Sequence, residues 1–316
     1  MSFVTPILFI TYKRLDTALQ VFHAIANIRP TKLYFASNLS KPDHPEDFDD
    51  IIQVRSLLDS IDWPCEVYTR YPEVHLDVKD SISHAITWFF DHEEAGIILE
   101  DDCVPHEDFF FYCQELLQRY SSDTRIWAIS GNCFLEDSAF FSDSYYFSKY
   151  FHCWGWATWR RAWQSFDIEM SSYPLFIGKY LKYSLFDSTV ERTYWTLLWN
   201  RLYKYGRPLT WDYQFYFHIF ANSGLIAYPC KNLVKNIGFR PDAENTSFGT
   251  SPLQNVNPLL PIKHPEFILR NRHLDELAFR AAYLENSFFT FVKYLIIGLL
   301  LYLKGLALRF KAWLFR

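Results

Sequence analysis

The sequence predicts an α/β fold, with a Rossmann-type, mainly parallel sheet flanked by helices and an amphipathic helix at the C-terminal end. Two observations support this prediction. In the N-terminal third, short apolar segments alternate with segments of helical periodicity. Half of the 316 residues are hydrophobic, which is enough for a sizeable core. Strands that alternate with helices imply right-handed βαβ units and therefore a parallel sheet.

Four strands are predicted from apolar runs that end in polar residues: PILFITYKR, KLYFASN, CEVYTR and AGIILEDD. The helices predicted between them are LDTALQVFHAIANI, IIQVRSLLDSI and DSISHAITWFFDH, the last with Asp80 or Ser81 as its N-cap. In such a sheet, ligands bind beyond the carboxyl ends of the strands. The residues at those ends are Thr11 to Arg14, Ser37, Asn38, Arg70 and Glu100 to Asp102.

From about residue 105 the pattern is less regular. HEDFFFYCQELLQRY predicts a helix, IWAISG a short strand, and FHCWGWATWRRAW a Trp-rich turn that leads into a helix. DSTVERTYWTLLWNRLYKYG is a further helix, with Asp187 or Ser188 as its cap and Gly206 at its end. Residues 207–262 mix short strands, turns and a polar loop.

Composition narrows the classes of function. The net charge of -5 argues against a general nucleic-acid binder. Aromatic residues make up 20% of the chain, which suggests stacking surfaces for sugars or bases, or else an aromatic-rich core. The six cysteines form no CxxC pair, as expected for reduced thiols in a cytosolic protein. The N-terminus lacks a basic segment before its apolar run, so we expect no signal peptide.

Three consecutive carboxylates, Glu100, Asp101 and Asp102, follow the fourth apolar run. Buried carboxylates repel one another and lose hydration, so a cation is needed to offset both costs. Mg²⁺ or Mn²⁺ would do so, because these ions prefer oxygen ligands and commonly take one or two carboxylates plus substrate phosphates. In an extended segment Glu100 and Asp102 would share one side and Asp101 the other.

A solvated acidic turn is the alternative interpretation of this triple. EDFDD at residues 46–50 is just as acidic, but it follows a loop, and we expect it to face solvent. GIILEDD instead lies where an α/β sheet presents its ligands, and this position favours a metal or nucleotide contact.

Nine segments in order resemble a bacterial group of nucleotide-sugar glycosyltransferases with the GT-A fold, which is distantly similar to N-acetylglucosaminyltransferase I. The resemblance covers about residues 4 to 250. The segments are PILFITYKR, FASN, Arg70, ITWFF, GIILEDDCVPHEDFF, IWAISG, WGWATWRRAW, WDYQF and LVKNIGF. The resemblance implies a GT-A-like fold, with residues 1–110 as the nucleotide-sugar-binding half and 111–262 as the acceptor and catalytic half of one domain.

The resemblance also implies roles for individual residues. EDD would be the DXD-type motif, in which Asp102 contacts the metal while Glu100 and Asp101 hold its waters and the donor sugar or ribose. Nucleotide contacts are implied at the ends of the first three strands and on the following helix, namely at Thr11, Arg14, Asn38, Arg70 and His84. Arg14 and Arg70 suit phosphate because a guanidinium binds it bidentately, although both fit surface ion pairs equally well. His84 is offset by one residue from the position at which the vertebrate relative has a base-contacting His. The alternative interpretation is a helix histidine that contacts no ligand.

Sugar transfer further needs a surface for the sugars and, for inversion, a base. Trp154, Gly155 and Trp156 would supply the surface, since the glycine lets the backbone approach a ligand. Asp212 is the candidate base, because the related transferases place a catalytic Asp in a similar WD context. The alternative for Asp212 is a helix N-cap. Relatives carry a His shortly after NIGF, and its absence here leaves the final metal ligand open.

The C-terminal segment, residues 285–316, is predicted to be a membrane-associating helix. Its charge-free run from Tyr294 to Leu303 is shorter than the roughly 20 residues of a span. Lys293, Lys304 and Lys311 fall on nearly one line of a helix, which favours a helix lying on an anionic membrane surface over a span or a packed helix.

The sequence therefore predicts a metal-dependent glycosyltransferase of the hexosyl or N-acetylhexosaminyl type. It would use Mn²⁺ or Mg²⁺ and a nucleoside-diphosphate sugar, with UDP-sugar favoured. The acceptor would be a saccharide or lipid-linked molecule of cell-surface polysaccharide biosynthesis, at the cytoplasmic face of a bacterial membrane and without nucleic acid. A metal-dependent nucleotidyltransferase is one alternative, although ITYKRLD lacks the glycines of a phosphate loop. A catalytically silent, membrane-bound glycan-binding protein is the other.

Overall fold

A computed structural model describes residues 3–135, 141–181, 186–240 and 255–284 together with residue 296. The strands are β1 Ile7–Thr11, β2 Lys32–Ser37, β3 Glu66–Arg70, β4 Ala95–Glu100, β5 Cys103–Pro105, β6 Ile126–Ser130, β7 Tyr145–Ser148, β8 Trp156–Trp159, β9 Leu225–Pro229 and β10 Val234–Asn236. The α-helices are α1 Leu15–Ile28, α2 Asp47–Arg55, α3 Val78–His92, α4 Glu107–Arg119, α5 Arg160–Trp163, α6 Tyr173–Leu175, α7 Thr189–Tyr205, α8 Asp212–Ala221 and α9 Arg272–Phe279.

The central sheet of the described residues has eight strands in the order β3, β2, β1, β4, β8, β6, β9, β7. Its first four strands are parallel, β8 runs antiparallel between β4 and β6, β6 pairs with β9 in parallel, and β7 forms an antiparallel edge. β5 and β10 form a separate antiparallel pair. This arrangement confirms the predicted class, an α/β fold with a mainly parallel sheet. Strands from residues 1–110 and from 111–262 join in the one sheet.

Helices cover both faces of the sheet because its strands alternate between two cores. In β1, Ile7 and Phe9 pack with the buried residues of α1 and α4, whereas Leu8 and Ile10 pack with those of α3 and α8. This alternation follows from the two-residue period of a strand. The polar carboxyl ends of β1, β2 and β4 therefore meet at one edge of a sheet that is buried on both sides.

Much of the aromatic content fills the core on the α3 side. Six of its buried members are tryptophans: Trp127, Trp156, Trp163, Trp195, Trp199 and Trp211. Trp159 is buried on the other side, where its indole donates to the Leu117 carbonyl. An aromatic-rich core was one of the two interpretations of the composition, and it accounts for most of these tryptophans.

Two predicted elements are wrong in detail. α3 begins at Val78 with Asp77 as its N-cap, and neither Asp80 nor Ser81 caps it, because the Asp77 carboxylate accepts the Asp80 N–H at 2.8 Å. WATW is the strand β8 and not part of a turn, since it pairs with both β4 and β6. The predicted helix after it is only the short α5. In contrast, α1 and the Ser188 and Gly206 ends of α7 are as predicted.

A group of charged side chains, of which Lys149, Glu191 and Asp275 are buried, joins the end of β7 to α7 and α9, and we call it the Lys149 cluster. Its members are Lys149, Asp187, Glu191, Arg270 and Asp275. The Lys149 ammonium, with a side chain only 1% exposed, pairs with Glu191 and lies 2.9 Å from Asp187. Arg270 pairs with Asp187 and lies 2.6 Å from Asp275. Each acid of the cluster thus has a basic partner.

The predicted membrane helix at 285–316 lies outside the described residues, apart from Ile296. Among the helices that the structure does describe, none combines the length and hydrophobicity needed to cross a bilayer. All six cysteines are free.

Candidate functional site

The site is centred on Arg14, which follows β1 and reaches the carboxylates that follow β4. Its guanidinium Nη2 lies 2.5 Å from Asp101 Oδ1 and 2.9 Å from Asp102 Oδ2. The backbone N–H of Tyr12 donates to Asp101 Oδ2 at 3.1 Å. The expected alternation of side chains is wrong, because the chain turns after Glu100 and both aspartates face Arg14. The loop that follows β1 and the loop that follows β4 are therefore joined by ion pairs.

The carboxylates remain electrostatically strained in spite of Arg14. Burial, and then the charges of Asp102, Asp101 and Asp212, raise the pKa of Glu100 well above its ordinary value. Burial raises the pKa of Asp101 to about 6, although Arg14 opposes this shift. Burial lowers the pKa of Arg14, but the two aspartates outweigh it and the net pKa is raised. The site carries more negative charge than its own cation balances.

Asp212 belongs to the same electrostatic group, because its charge raises the pKa of Glu100. It is the first residue of α8, and its carboxylate accepts the Thr210 hydroxyl. Burial raises the pKa of Asp212 above its ordinary value. Trp211 occupies the N-cap position, so the predicted N-cap alternative for Asp212 is wrong by one residue. The structure thus brings the candidate base and the EDD segment together.

The NIGF segment lies directly against Asp102, near the position where the resemblance implies a late metal contact. Pairing of β10 with β5 brings it there, and the Ile237 N–H donates to the Asp102 carbonyl at 2.9 Å. A Cβ on Gly238 would come within 2.1 Å of Asp102 Oδ2, so a side chain at this position would displace the Asp102 carboxylate. The signal was present in the sequence, because NIGF is one of the segments of the resemblance. Arg240, which follows, pairs with Asp16 of α1.

The WGW turn presents one ring and buries the other. Trp154 is half-buried, with its ring 5.7 Å from Phe239 and 6.0 Å from Phe134 between centroids. Gly155 has φ of +74°, and a Cβ there would clash with Val234 at 2.7 Å. Trp156 has no exposed surface and stacks on Trp211 at 5.6 Å. Trp154 therefore keeps part of its surface exposed, while Trp156 packs in the core and has none exposed.

The side chains at the end of β2 are engaged in holding loops. The Asn38 amide donates to the Leu76 carbonyl at 2.8 Å, and its oxygen accepts the Leu39 and Leu76 N–H groups. Thr11 donates to the Ala36 carbonyl. Arg55, which sequence reasoning missed, donates to the Ser37 and Asn38 carbonyls and lies over the Tyr71 ring at 4.0 Å. Thr11 and Asn38 are thus buried and hold the loops at this edge of the sheet.

Two further predicted residues lie apart from the charged group. Arg70 ends β3, is half-buried, and forms no ion pair with the part of the chain that the structure describes. His84 lies on the exposed side of α3. The structure does not bring His84 into contact with Arg14, Asp101 or Asp102.

The donor set fits a hard divalent cation that arrives with a diphosphate. The carboxylates of Glu100, Asp101 and Asp102 supply oxygen donors, and the side chain of Glu100 forms no hydrogen bond with a residue that the structure describes. In the described ranges, no three His, Cys, Asp or Glu side chains form a ready-made metal site. A magnesium or manganese ion bound with substrate phosphates needs only one or two protein carboxylates. Asp102 and Glu100 are the residues that could hold it.

No family model and no curated protein matches the chain. Among solved structures, it is similar to HddC from Yersinia pseudotuberculosis, with 9% identity, a TM-score of 0.27, and 40% of this chain and 57% of that one covered. It is also similar to the 4-diphosphocytidyl-2C-methyl-D-erythritol synthase from Anaerococcus prevotii, with 9% identity, a TM-score of 0.30, and coverage of 56% and 78%. For the glycosyltransferase GlyE in Streptococcus pneumoniae the identity is 12%, the TM-score 0.26, and the coverage 71% and 54%.

This chain spans little more than half of the HddC and GlyE chains. At TM-scores of 0.30 or less, such likenesses carry no argument about this protein. The assignment of the site rests on the residues of the chain itself.

Proposed function

We propose that the protein is a metal-dependent glycosyltransferase that moves a sugar from a nucleoside diphosphate, UDP-sugar being favoured, to a hydroxyl acceptor. One observation carries the proposal. The carboxylates of Glu100, Asp101, Asp102 and Asp212 are grouped at the carboxyl ends of the strands, where Arg14 pairs with only two of them within the described residues. Such a group is suited to a donor that brings its own cation.

The chain's residues divide the work of such a reaction. The bound cation would neutralise charge on the leaving diphosphate. Arg14 fixes Asp101 and Asp102. The carboxylates of Asp102 and Glu100 would hold the cation. Arg70, Thr11, Asn38 and His84 are proposed as contacts of the nucleotide, and Trp154 with Gly155 as the surface for a sugar. These assignments combine the resemblance with the positions described above.

Asp212 is proposed as the base of an inverting transfer. Its carboxylate would accept the proton of the acceptor hydroxyl while that oxygen bonds to the anomeric carbon and the bond to the diphosphate breaks. Burial raises the pKa of Asp212, and a base with a raised pKa transfers a proton more effectively near neutral pH. The electron pair of the broken bond leaves with the nucleoside diphosphate as negative charge, so charge and atoms balance.

The remaining expectations concern the setting of the reaction. We propose a saccharide or lipid-linked acceptor of cell-surface polysaccharide synthesis, and attachment of residues 285–316 to the cytoplasmic face of the membrane. A metal-dependent nucleotidyltransferase would use similar strand-end carboxylates, but its product would be pyrophosphate.

Product analysis tests the proposal. The protein is incubated with UDP-, GDP- and dTDP-sugars, with and without Mn²⁺, and the released species are identified. Release of free nucleoside diphosphate and sugar from one donor, dependent on Mn²⁺, is the expected slow hydrolysis of a transferase without its acceptor. In a parallel incubation with a nucleoside triphosphate and a sugar phosphate, formation of pyrophosphate would instead assign the nucleotidyltransferase. Absence of both activities would favour the catalytically silent glycan-binding protein.

A further inference from the structure

An exposed surface of aromatic and basic residues lies beside the candidate site. It consists of residues 173–181 and of 201–207 at the end of α7, and we call it the aromatic-basic patch. The two segments are in contact, because the rings of Tyr173 and Tyr203 lie 5.5 Å apart. Tyr173 is buried beneath them, so the patch consists of two neighbouring segments held on the same side of the molecule.

The patch exposes large apolar and aromatic side chains. Leu175 is 59% exposed, Tyr180 43%, Tyr203 45% and Tyr205 74%. Contiguous exposed apolar surface with a polar rim commonly marks an interaction site. Tyrosine in particular suits a boundary between apolar and aqueous phases, since its ring is apolar and its hydroxyl is polar.

The same surface is positively charged. Its cations are Lys179, Arg201, Lys204 and Arg207, and neither segment contains an Asp or Glu. None of the four forms an ion pair with a residue that the structure describes. This local excess contrasts with the net charge of -5 of the whole chain. The unneutralised cations indicate an anionic partner.

We propose that the aromatic-basic patch docks on an anionic lipid bilayer, independently of the C-terminal segment. Lysine and arginine near such a surface are attracted by anionic headgroups. Tyrosines sit at the headgroup level of membrane proteins, and Leu175 would reach the acyl boundary. A bilayer accounts for the aromatic and the basic residues together, whereas a purely electrostatic partner would account only for the second.

The position of the patch relates docking to the site. Arg207 precedes Asp212 by five residues, so the two lie within about 18 Å even if the chain between them is fully extended. The described C-terminal part also packs on the same helix, because the rings of Tyr283 and Trp195 lie 5.2 Å apart. Docking through the patch would bring the Asp212 end of the molecule to the membrane, where a lipid-linked acceptor would be presented. The docking itself does not depend on the proposed transfer reaction.

Hydrogen exchange of the full chain tests the docking. Exchange is followed by mass spectrometry alone, with phosphatidylcholine vesicles, and with vesicles containing phosphatidylglycerol. Slower exchange in peptides covering 173–181 and 201–207, with the anionic vesicles only, is the expected result. The proposal is overturned if the protein does not bind these vesicles, or if it binds them while both peptides exchange as in solution. Protection by soluble heparin but not by vesicles would assign the patch to a soluble acidic partner instead.

Charge variants of the full chain sharpen the test. The triple variant R201Q/K204Q/R207Q should partition about a hundredfold more weakly onto anionic vesicles, since each charge near the surface contributes about fivefold. The matched variant R29Q/R119Q/K263Q, which removes three exposed charges elsewhere, should change partition by less than about fivefold. Equal binding of both variants would contradict the proposal. Nucleotide-sugar hydrolysis without vesicles should be the same in all three proteins, which separates this proposal from that of the enzyme.

Discussion

The molecule contains two groups of charged side chains that differ in how far basic residues neutralise the acidic ones. In the Lys149 cluster each acid has a basic partner, and Lys149 and the arginines lower the pKa of Asp187 although burial raises it. Asp275 has no exposed surface, and there burial still outweighs Arg270. At the strand ends, burial and neighbouring carboxylates raise the pKa of Glu100, and burial raises that of Asp212. The first group is neutralised by the protein itself, whereas the second carries a surplus that a bound cation would balance.

The comparison distinguishes charges that stabilise the fold from charges that serve a ligand. A neutralised cluster is satisfied as soon as the chain folds, so its loss should affect stability. A surplus of like charge costs stability until a ligand binds, so its loss should affect function. Single substitutions in each group separate these two outcomes.

The largest effect is expected at the candidate base. Asp212→Asn should reduce transferase turnover by about 10²- to 10⁴-fold, the usual contribution of a general base. Donor binding should be unchanged, because the base acts on the acceptor. Steady-state kinetics and calorimetric titration of the donor measure the two quantities. Asp91→Asn, on the exposed end of α3, is the matched control, and near-normal turnover of Asp212→Asn would refute the assignment.

The two charge groups should respond oppositely to loss of a negative charge. Glu191→Gln should lower the free energy of unfolding by about 3 kcal/mol, because Lys149 loses a buried partner. Glu100→Gln should raise the free energy of unfolding of the ligand-free protein by about 1 kcal/mol, because a repelled, buried charge is removed. Urea denaturation at pH 7 measures both. Destabilisation by Glu100→Gln would remove the contrast on which the account depends.

A third kind of buried group, a neutral histidine, should make stability depend on pH. Burial lowers the pKa of His152 to about 3 from an ordinary value of 6.5. The unfolded chain therefore takes up a proton as the pH falls below 6.5 while the folded protein does not, so stability is lost on acidification. Between pH 7 and pH 5 the loss from this residue is about 2 kcal/mol. His152→Phe should flatten the unfolding free energy over this range; an unchanged pH profile would mean that His152 is not the source.

The smallest effect is expected at the edge of the proposed nucleotide pocket. Arg70→Gln should weaken donor binding about tenfold, as for one lost charge-assisted hydrogen bond. Arg119→Gln, an exposed arginine on α4, should leave donor affinity unchanged. Titration calorimetry of both variants gives the comparison. Equal affinities would place Arg70 outside the pocket.

Local patterns in the sequence were enough to predict much of the fold. The bounds of α1 and the ends of α7 at Ser188 and Gly206 follow from periodicity and capping residues that lie next to each other in the chain. The position of β8 could not be predicted in this way. WATW becomes a strand because β4 and β6, which come from distant parts of the chain, pair with it on both sides. Tertiary pairing overrides local propensity here.

For the candidate site, the sequence indicated the carboxylates but not their internal cation. The pair of Arg14 with Asp101 joins residues 87 positions apart, which no local pattern encodes. The same limit applies to EDFDD, where Asp47 is buried against Lys13 at 2.7 Å and does not face solvent as expected. Trp156 was expected at the sugar because its neighbours are Trp154 and Gly155, yet alternation along β8 turns it into the core.

Binding of a metal and nucleotide to Asp102→Asn tests the central claim most directly. Wild-type protein, Asp102→Asn and Asp91→Asn are titrated by calorimetry with UDP, GDP and dTDP in the presence and absence of Mn²⁺. The account predicts that one nucleotide binds wild type and Asp91→Asn more tightly with Mn²⁺, and that Asp102→Asn loses this dependence on Mn²⁺. Equal Mn²⁺-dependent binding by Asp102→Asn, or no binding of any nucleotide to the wild type, would contradict the account.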